Sequence, residues 1–264
     1  AQRAFREGDA QLSRLAHEMA LAPENHKGGG QYIKAAVFGG LDGIITTFAV
    51  VASVTGANLS AGVVIIMGFA NLLADGLSMG VGEYLSGVSE LQFAQAERQR
   101  EEWETENYLA GEVQEMVELY MEKGVTESDA RQILDVMVKY KDFFVDHMLV
   151  QELGIMPPDE SESPAKNGLV MFCSFVVFGL VPLLSYLALS TVDFGSESEN
   201  DNALFGIACG LTAMALFVLG AIKSRFSTQT WYYSGLMVLV NGSIAAGAAF
   251  LIGYLLEKLV DTDE

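Results

Sequence analysis

Basic residues are scarce in this chain. Of its 264 residues, 15 are Lys or Arg against 34 Asp or Glu, a formal charge of −19 with an isoelectric point near 4.4. There is no basic field to hold phosphates, which argues against nucleic acid as a partner, whereas cations suit such a surface. Cysteine is scarce too. Cys173 and Cys209 are the two present, and each lies inside an apolar run. They rule out a disulfide framework and a paired CxxC metal site, and they read as small core residues. The first 30 residues carry charges throughout (Arg3, Arg6, Arg14, Glu18) and lack a short apolar core before a small-residue cleavage site. No signal peptide is visible there, and the first apolar run is expected to do the targeting.

Apolar residues, by contrast, make up 51% of the chain, with a mean hydropathy of +0.30. They fall into five runs near the ~20 residues that cross ~30 Å of hydrocarbon: Ile33 to Gly56, Ala61 to Gly87, Gly168 to Ser190, Ala203 to Ile222 and Trp231 to Leu256. Five crossings put the termini on opposite sides. Lys and Arg set the orientation: five lie at the N-terminal flank (Arg3, Arg6, Arg14, Lys27, Lys34), seven between runs two and three, and two at the 4/5 loop (Lys223, Arg225). Only Lys258 falls on the other side, whose loop from Asp193 to Asp201 holds four acids and no base. The positive-inside rule predicts a cytoplasmic N-terminal segment (1–32) and central segment, and a luminal tail (258–264). The expected fold is all-α: transmembrane helices 1–2 over 33–87, a cytoplasmic acidic helical metal-binding domain over 88–166, and transmembrane helices 3–5 over 167–257.

From Val88 to Lys166 there are 19 acids and seven bases, a net of −12. With no Gly or Pro break between Val88 and Tyr108, the second crossing is expected to continue out of the membrane as a stalk. Val113, Met116, Val117 and Tyr120 predict one face of a helix over Glu112 to Glu122, with Glu112, Glu115, Glu118 and Glu122 opposite. Gly124 stops it. Thr126 and Asp129 read as a capping-box-like start for a helix through Tyr140, and Asp142 to Leu153 as another, closed by Gly154 and Pro157-Pro158. Asp159 to Asn167 is a polar linker. Glu101, Glu102, Glu104 and Glu106 crowd one and a half turns, where like charges destabilise a helix. The pairs Glu101/Glu104 and Glu112/Glu115 at i,i+3, and Met148/Glu152 at i,i+4, would together form an oxygen-rich cage with one thioether. Carboxylates suit hard and borderline divalent cations, and a Met sulfur shifts preference towards transition metals. The same residues also fit a solvated acidic face. His26 and His147 read as surface residues.

An ionisable side chain at mid-membrane costs at least ~2.5 to 3.5 kcal/mol, so it marks function by default. Asp42, Asp75 and Glu83 qualify. Asn71, Asp75, Met79 and Glu83 recur every four residues and form one stripe of one helix, either a metal pathway or a packing seam bonded to neighbouring helices. Gly39, Gly40 and Gly43 bracket Asp42, while Gly76, Gly80 and Gly82 interleave the stripe, as close helix approach requires. One stripe cannot enclose an aqueous path, and no internal repeat is evident. Two protomers meeting along crossings one and two would supply both walls, which predicts a C2 homodimer.

Gly40-Leu41-Asp42-Gly43-Ile44-Ile45-Thr46-Thr47-Phe48, then Ala74-Asp75-Gly76-Leu77-Ser78-Met79-Gly80 with Gly82-Glu83-Tyr84, then the Glu-rich insert ending in His147-Met148 and Gln151-Glu152-Leu153-Gly154, resemble the vacuolar iron transporter family, plant type. The likeness covers Ile33 to Leu256, with both intramembrane motifs and the insert in family order. The resemblance implies a five-helix homodimer of the vacuolar membrane, not an enzyme, that exchanges cytosolic Fe²⁺, and often Mn²⁺, for protons; Zn²⁺ and Co²⁺ are further candidate ions. It implies metal contacts at Asp42 and Met79, and metal held by Glu101, Glu104, Glu112, Glu115, Met148 and Glu152. No prosthetic group is expected. The family often has a second Met directly after the first, where this chain has Leu149.

In this reading the insert captures metal and passes it to Met79 and the intramembrane carboxylates, where protons compete with it for the same groups. A membrane-bound di-metal carboxylate oxidase is the alternative, although such centres usually carry an ExxH on two helices and no His follows a Glu by three in the insert. A metal sensor is a third reading, and it leaves Asp75 and Glu83 unexplained.

Overall fold

A computed structural model describes residues 30–158, 163–189, 197–226 and 229–261, together with Gln11. Arg3, Arg6, Arg14, Glu18, His26 and Lys27 lie outside the described residues, as do positions 159–162 of the polar linker, positions 190–196 at the 3/4 loop and the last three residues of the tail. The fold is all-α, with no strand among the described residues. In chain order the helices are α1 (Gly30–Gly56), α2 (Ala61–Glu122), α3 (Glu127–Met137), α4 (Lys141–Met148), α5 (Pro164–Gly179), α6 (Leu184–Leu189), α7 (Glu197–Lys223) and α8 (Trp231–Asp261). Five helical spans are long and apolar enough to cross a membrane: Tyr32–Gly56, the start of α2, Pro164–Ala188, Asp201–Lys223 and Trp231–Val260.

The third span is not one continuous helix. Pro182 has no N–H to donate and its ring crowds the preceding turn, so α5 ends at Gly179. A 3₁₀ turn over Val181–Leu183 leads into α6. Between α1 and α2 the chain turns within four residues, with Asn58 at φ 54°, a left-handed conformation Asn tolerates better than most residues.

α5 lies between α1 and α2, and α1 also packs against α8, which packs against α7. Small residues set the first two contacts. A Cβ on Gly39 would lie 2.7 Å from the Met171 carbonyl oxygen, and one on Gly80 would lie 2.8 Å from Phe172 Cβ. In lipid, where apolar exposure costs nothing, such close packing is what holds helices together. The glycine seams are thus occupied within the chain by α5. Gly82 has open space around it within the chain, so it takes no part in the seam with α5. Phe48, Val51, Val64, Leu72, Phe175, Leu183 and Tyr186 form the buried centre. Cys209 is half-buried on α7, but Cys173 is exposed on the outer face of α5 and is not a core residue.

α2 leaves the apolar stretch without interruption, as the lack of helix breakers predicts, and continues to Tyr108. There the backbone departs from helical geometry (φ −147°, ψ 53°). The departure is a fold-back: on a straight helix Glu101 and Glu112 would stand about 16 Å apart, yet their carboxylates approach within 4.8 Å. Residues 61–107 form a rod about 70 Å long, and residues 109–122 are a second limb. That limb ends at Gly124, whose φ of +92° favours glycine. Thr126 caps α3 by accepting from the Asp129 N–H. α4 runs into a π-helical turn, Leu149–Leu153, stopped by Gly154 at φ +68°. Met116, Val117, Ala130, Leu134, Met137, Phe144 and Met148 form a second, separate core. Glu112 lies on this buried side, not opposite it: it is 7% exposed and, four residues before Met116, shares its face.

Candidate metal sites

The crowded glutamates divide between two faces of the rod. Lys141 of α4 bonds to Glu102 at 2.8 Å and also to Glu106. Arg98 donates to Asp146 at 2.8 Å and pairs more loosely with Asp142 and Glu102. These pairs clamp α4 to the rod. Glu101 and Glu104 face away from the clamp, towards the folded-back limb. The repulsion expected of the sequence run is met by Lys141 and Arg98 on one face; on the other, more open face Arg100 alone among the described residues pairs with Glu101 and Glu104.

On the open face Glu101, Glu112 and Glu152 each bring one carboxylate oxygen within 4.8 Å of the others. A point no more than about 2.8 Å from all three therefore exists, and small side-chain shifts reach the 2.0–2.2 Å typical of transition-metal–oxygen bonds. Glu101 is 1% exposed, with Oε1 held by Arg100 at 3.3 Å and Oε2 buried without a hydrogen-bond partner. Two full charges about 5 Å apart repel by about 3 kcal/mol at an effective dielectric near 20. The carboxyls respond accordingly. Burial, then Glu115 and Glu101, push Glu112 up to about 7. Burial also raises Glu101, helped by Glu152 and Glu104 and opposed by Arg100. Glu152 is raised by burial and then by Glu115 and Glu104.

A buried lone pair with nothing to accept from and three carboxyls held above their ordinary range fit a divalent cation better than a solvated face. Of each predicted ExxE pair, the first member sits at the centre. Glu104 and Glu115 are more exposed, at the rim but within electrostatic reach. Met148 is fully buried, its sulfur accepting from Thr105 Oγ1 at 3.9 Å. Glu152 comes from the π-helical turn, a feature often found at functional sites. His147 is half-buried rather than a surface residue: Nε2 meets the Tyr120 hydroxyl at 2.6 Å, and the ring stacks on Phe143. Leu149 is fully buried in the insert.

In the apolar part of α2, Asn71, Asp75, Met79 and Glu83 form the expected stripe, and all four are half-buried. Leu72, Gly76 and Gly80 beside them are buried. Asn71 Nδ2 donates to Asp75 Oδ2 at 2.8 Å, and Asp42 of α1 lies within electrostatic reach of Asp75. Met79 packs on the central apolar cluster. Glu83 opens into a cavity of about 890 Å³ shared with Lys34, Glu90, Met156, Pro158 and Asn167. The structure does not bring the two sets together: about 27 Å of the rod separates Glu83 from Glu101. Sequence reasoning missed Arg100, although Glu97 and Glu104 stand at the i−3 and i+4 spacings that pair on a helix. It also missed the Tyr120–His147 contact, which joins elements distant in sequence.

The model of the VIT family matches residues 33–254. The vacuolar iron transporter of Toxoplasma gondii (strain ATCC 50861 / VEG) is 44% identical over 266 residues, covering 97% of this chain and 87% of the relative. That of Plasmodium falciparum (isolate 3D7) is 40% identical over 264 residues, covering 98% and 96%. Vacuolar iron transporter 1 of Oryza sativa subsp. japonica is 30% identical over 228 residues, covering 86% of each.

Proposed function

This chain belongs to the VIT family, and from that premise we propose that it carries Fe²⁺, with Mn²⁺, Zn²⁺ and Co²⁺ as further candidates, from the cytosol into an acidic vacuole in exchange for protons. The observation that carries this reading is the convergence of Glu101, Glu112 and Glu152 around a buried oxygen with no hydrogen-bond partner. The metal is substrate, not a resident cofactor. The insert, on the cytosolic side with the N-terminus, captures the ion between Glu101, Glu112 and Glu152, with Glu104, Glu115 and the Met148 thioether beside them. The ion then follows the rod to Glu83 and passes Met79, Asp75, Asn71 and Asp42.

Carboxylates must lose protons to hold metal, so an acidic lumen favours release there, and protons bound at the stripe return to the cytosol. The stripe is half-buried in a single chain. A second copy against α1 and α2 would complete its wall, which supports a C2 dimer in the vacuolar membrane. The C-terminal end of α8 is then luminal.

Uptake into sealed vesicles containing only this protein tests the reading. With the interior acidic, Fe²⁺ added outside should accumulate, and collapse of the pH gradient should stop accumulation. Fe²⁺ oxidised without entering the vesicles would select the carboxylate oxidase instead.

A further inference from the structure

The guanidinium of Arg100 is already seated on the cage. It donates to Glu101 Oε1 at 3.3 Å, lies 3.8 Å from Glu104 Oε1, and pairs with Glu97 Oε2 at 2.9 Å. Glu101 is buried while Arg100 is half-exposed, so the cation covers the cage from the solvent side. We propose that Arg100 is a tethered stand-in for the metal: it neutralises Glu101 and Glu104 in the empty cage and competes with the incoming ion for them. This rests on reading the cage as the capture site.

A guanidinium has five donors and no lone pair, and it keeps its charge throughout the physiological range. It can neither ligate a metal nor step aside by losing a proton. A divalent ion between Glu101, Glu112 and Glu152 places like charge beside it and takes up the Glu101 carboxylate. The arginine must release Glu101 and Glu104. Glu97 gives it somewhere to stay, because that carboxylate stands one turn back along the rod and outside the cage, and makes the shortest of the three pairs. The exchange is internal: one tethered cation leaves two carboxylates as the metal arrives and returns as it departs. Its consequence is a cage that binds less tightly than its carboxylates alone would, and that gives up its ion more readily to the pathway.

The test is Mn²⁺ binding to the full-length protein in detergent at fixed pH and low ionic strength. Free Mn²⁺ is followed by its paramagnetic resonance signal. Glu101→Gln and Glu112→Gln come first: if neither weakens binding, the cage reading fails whatever Arg100 does. With the cage established, Arg100→Gln should bind about three- to tenfold tighter and release the ion more slowly. Arg100→Lys, which keeps the charge, should stay within about twofold of the native protein. Glu97→Gln should weaken binding about two- to threefold, because the guanidinium then leans harder on Glu101. The same change in an Arg100→Gln background should have no effect. An Arg100→Gln protein that binds no tighter than the native one overturns the proposal, as does a Lys variant as tight as the Gln variant. If the Gln variant fails to fold, the Lys and Glu97 variants still decide it: no weakening in Glu97→Gln refutes the competition.

Discussion

Replacing Glu112 by Gln should stabilise the empty insert and disable it in the same step. The Glu112 side chain is buried, and burial with four neighbouring carboxylates pushes its carboxyl up to about 7 from an ordinary 4.5. Between those two values the folded state binds a proton that the unfolded chain does not. Stability therefore falls as pH rises through this window and stays low above it. At ~1.36 kcal/mol per unit, the ceiling is about 3 kcal/mol. Water reaching the exposed Glu115 and Glu152 brings the expected loss to about 1 to 3 kcal/mol. Gln keeps the shape and cannot ionise. At pH 8 with chelator the variant should be more stable than the native protein by that amount, and at pH 5 the difference should shrink to about a quarter of it. Urea unfolding followed through Trp103, which sits on the rod at the insert, reads this directly. Added Mn²⁺ should stabilise the native protein and leave the variant unchanged. A variant no more stable than the native protein at pH 8, or a gain independent of pH, would refute the reasoning.

Asp42→Ala or Met79→Ala should abolish vesicle uptake at every metal concentration while leaving the size-exclusion profile of the native protein, because on the proposed pathway each removes a ligand the ion must pass. Replacing Glu101, Glu104, Glu112 and Glu115 together by Gln should raise the half-saturation concentration for Fe²⁺ with little loss of maximal rate. An unchanged half-saturation with a reduced maximum would place the insert within the transport step itself. Native metal binding to the insert should weaken about tenfold per pH unit below 7 for the one proton displaced from Glu112, measured by Mn²⁺ titration at pH 5.5, 6.5 and 7.5. Gly80→Val should cut the yield of folded protein sharply, since its Cβ would meet Phe172 at 2.8 Å and the Gly168 carbonyl oxygen at 3.0 Å.

Much of this architecture is local and was therefore legible in the sequence. Apolar run length marks the crossings, the four-residue repeat from Asn71 to Glu83 marks the stripe, and Gly124, Thr126 and Gly154 punctuate the insert where their backbone and side-chain chemistry requires. What depends on long-range contact was not legible. The fold-back at Tyr108, which brings Glu112 beside Glu101, has a single local mark: Gly111, where a Cβ would lie 2.3 Å from the Tyr108 ring, and a lone glycine does not by itself tell a sharp bend from a tolerated helix position. The burial of Glu112 follows from that fold-back, because the limb turns its Met116 face onto α3 and α4. The division of Glu101 and Glu104 from Glu102 and Glu106 needs Lys141, some 40 residues away. Gly76 and Gly80 were legible as seam residues, but their partner within the chain, α5, was not, because a small-residue face is complementary to many others.

The central claim is that metal crosses in exchange for protons held by the same carboxylates. Its most direct test records luminal pH with a trapped indicator while Fe²⁺ is added outside acidic-lumen vesicles. Luminal alkalinisation should track metal entry in the native protein and be absent in Asp42→Ala. Metal that enters the native vesicles with no change in luminal pH beyond that of protein-free vesicles would contradict the claim.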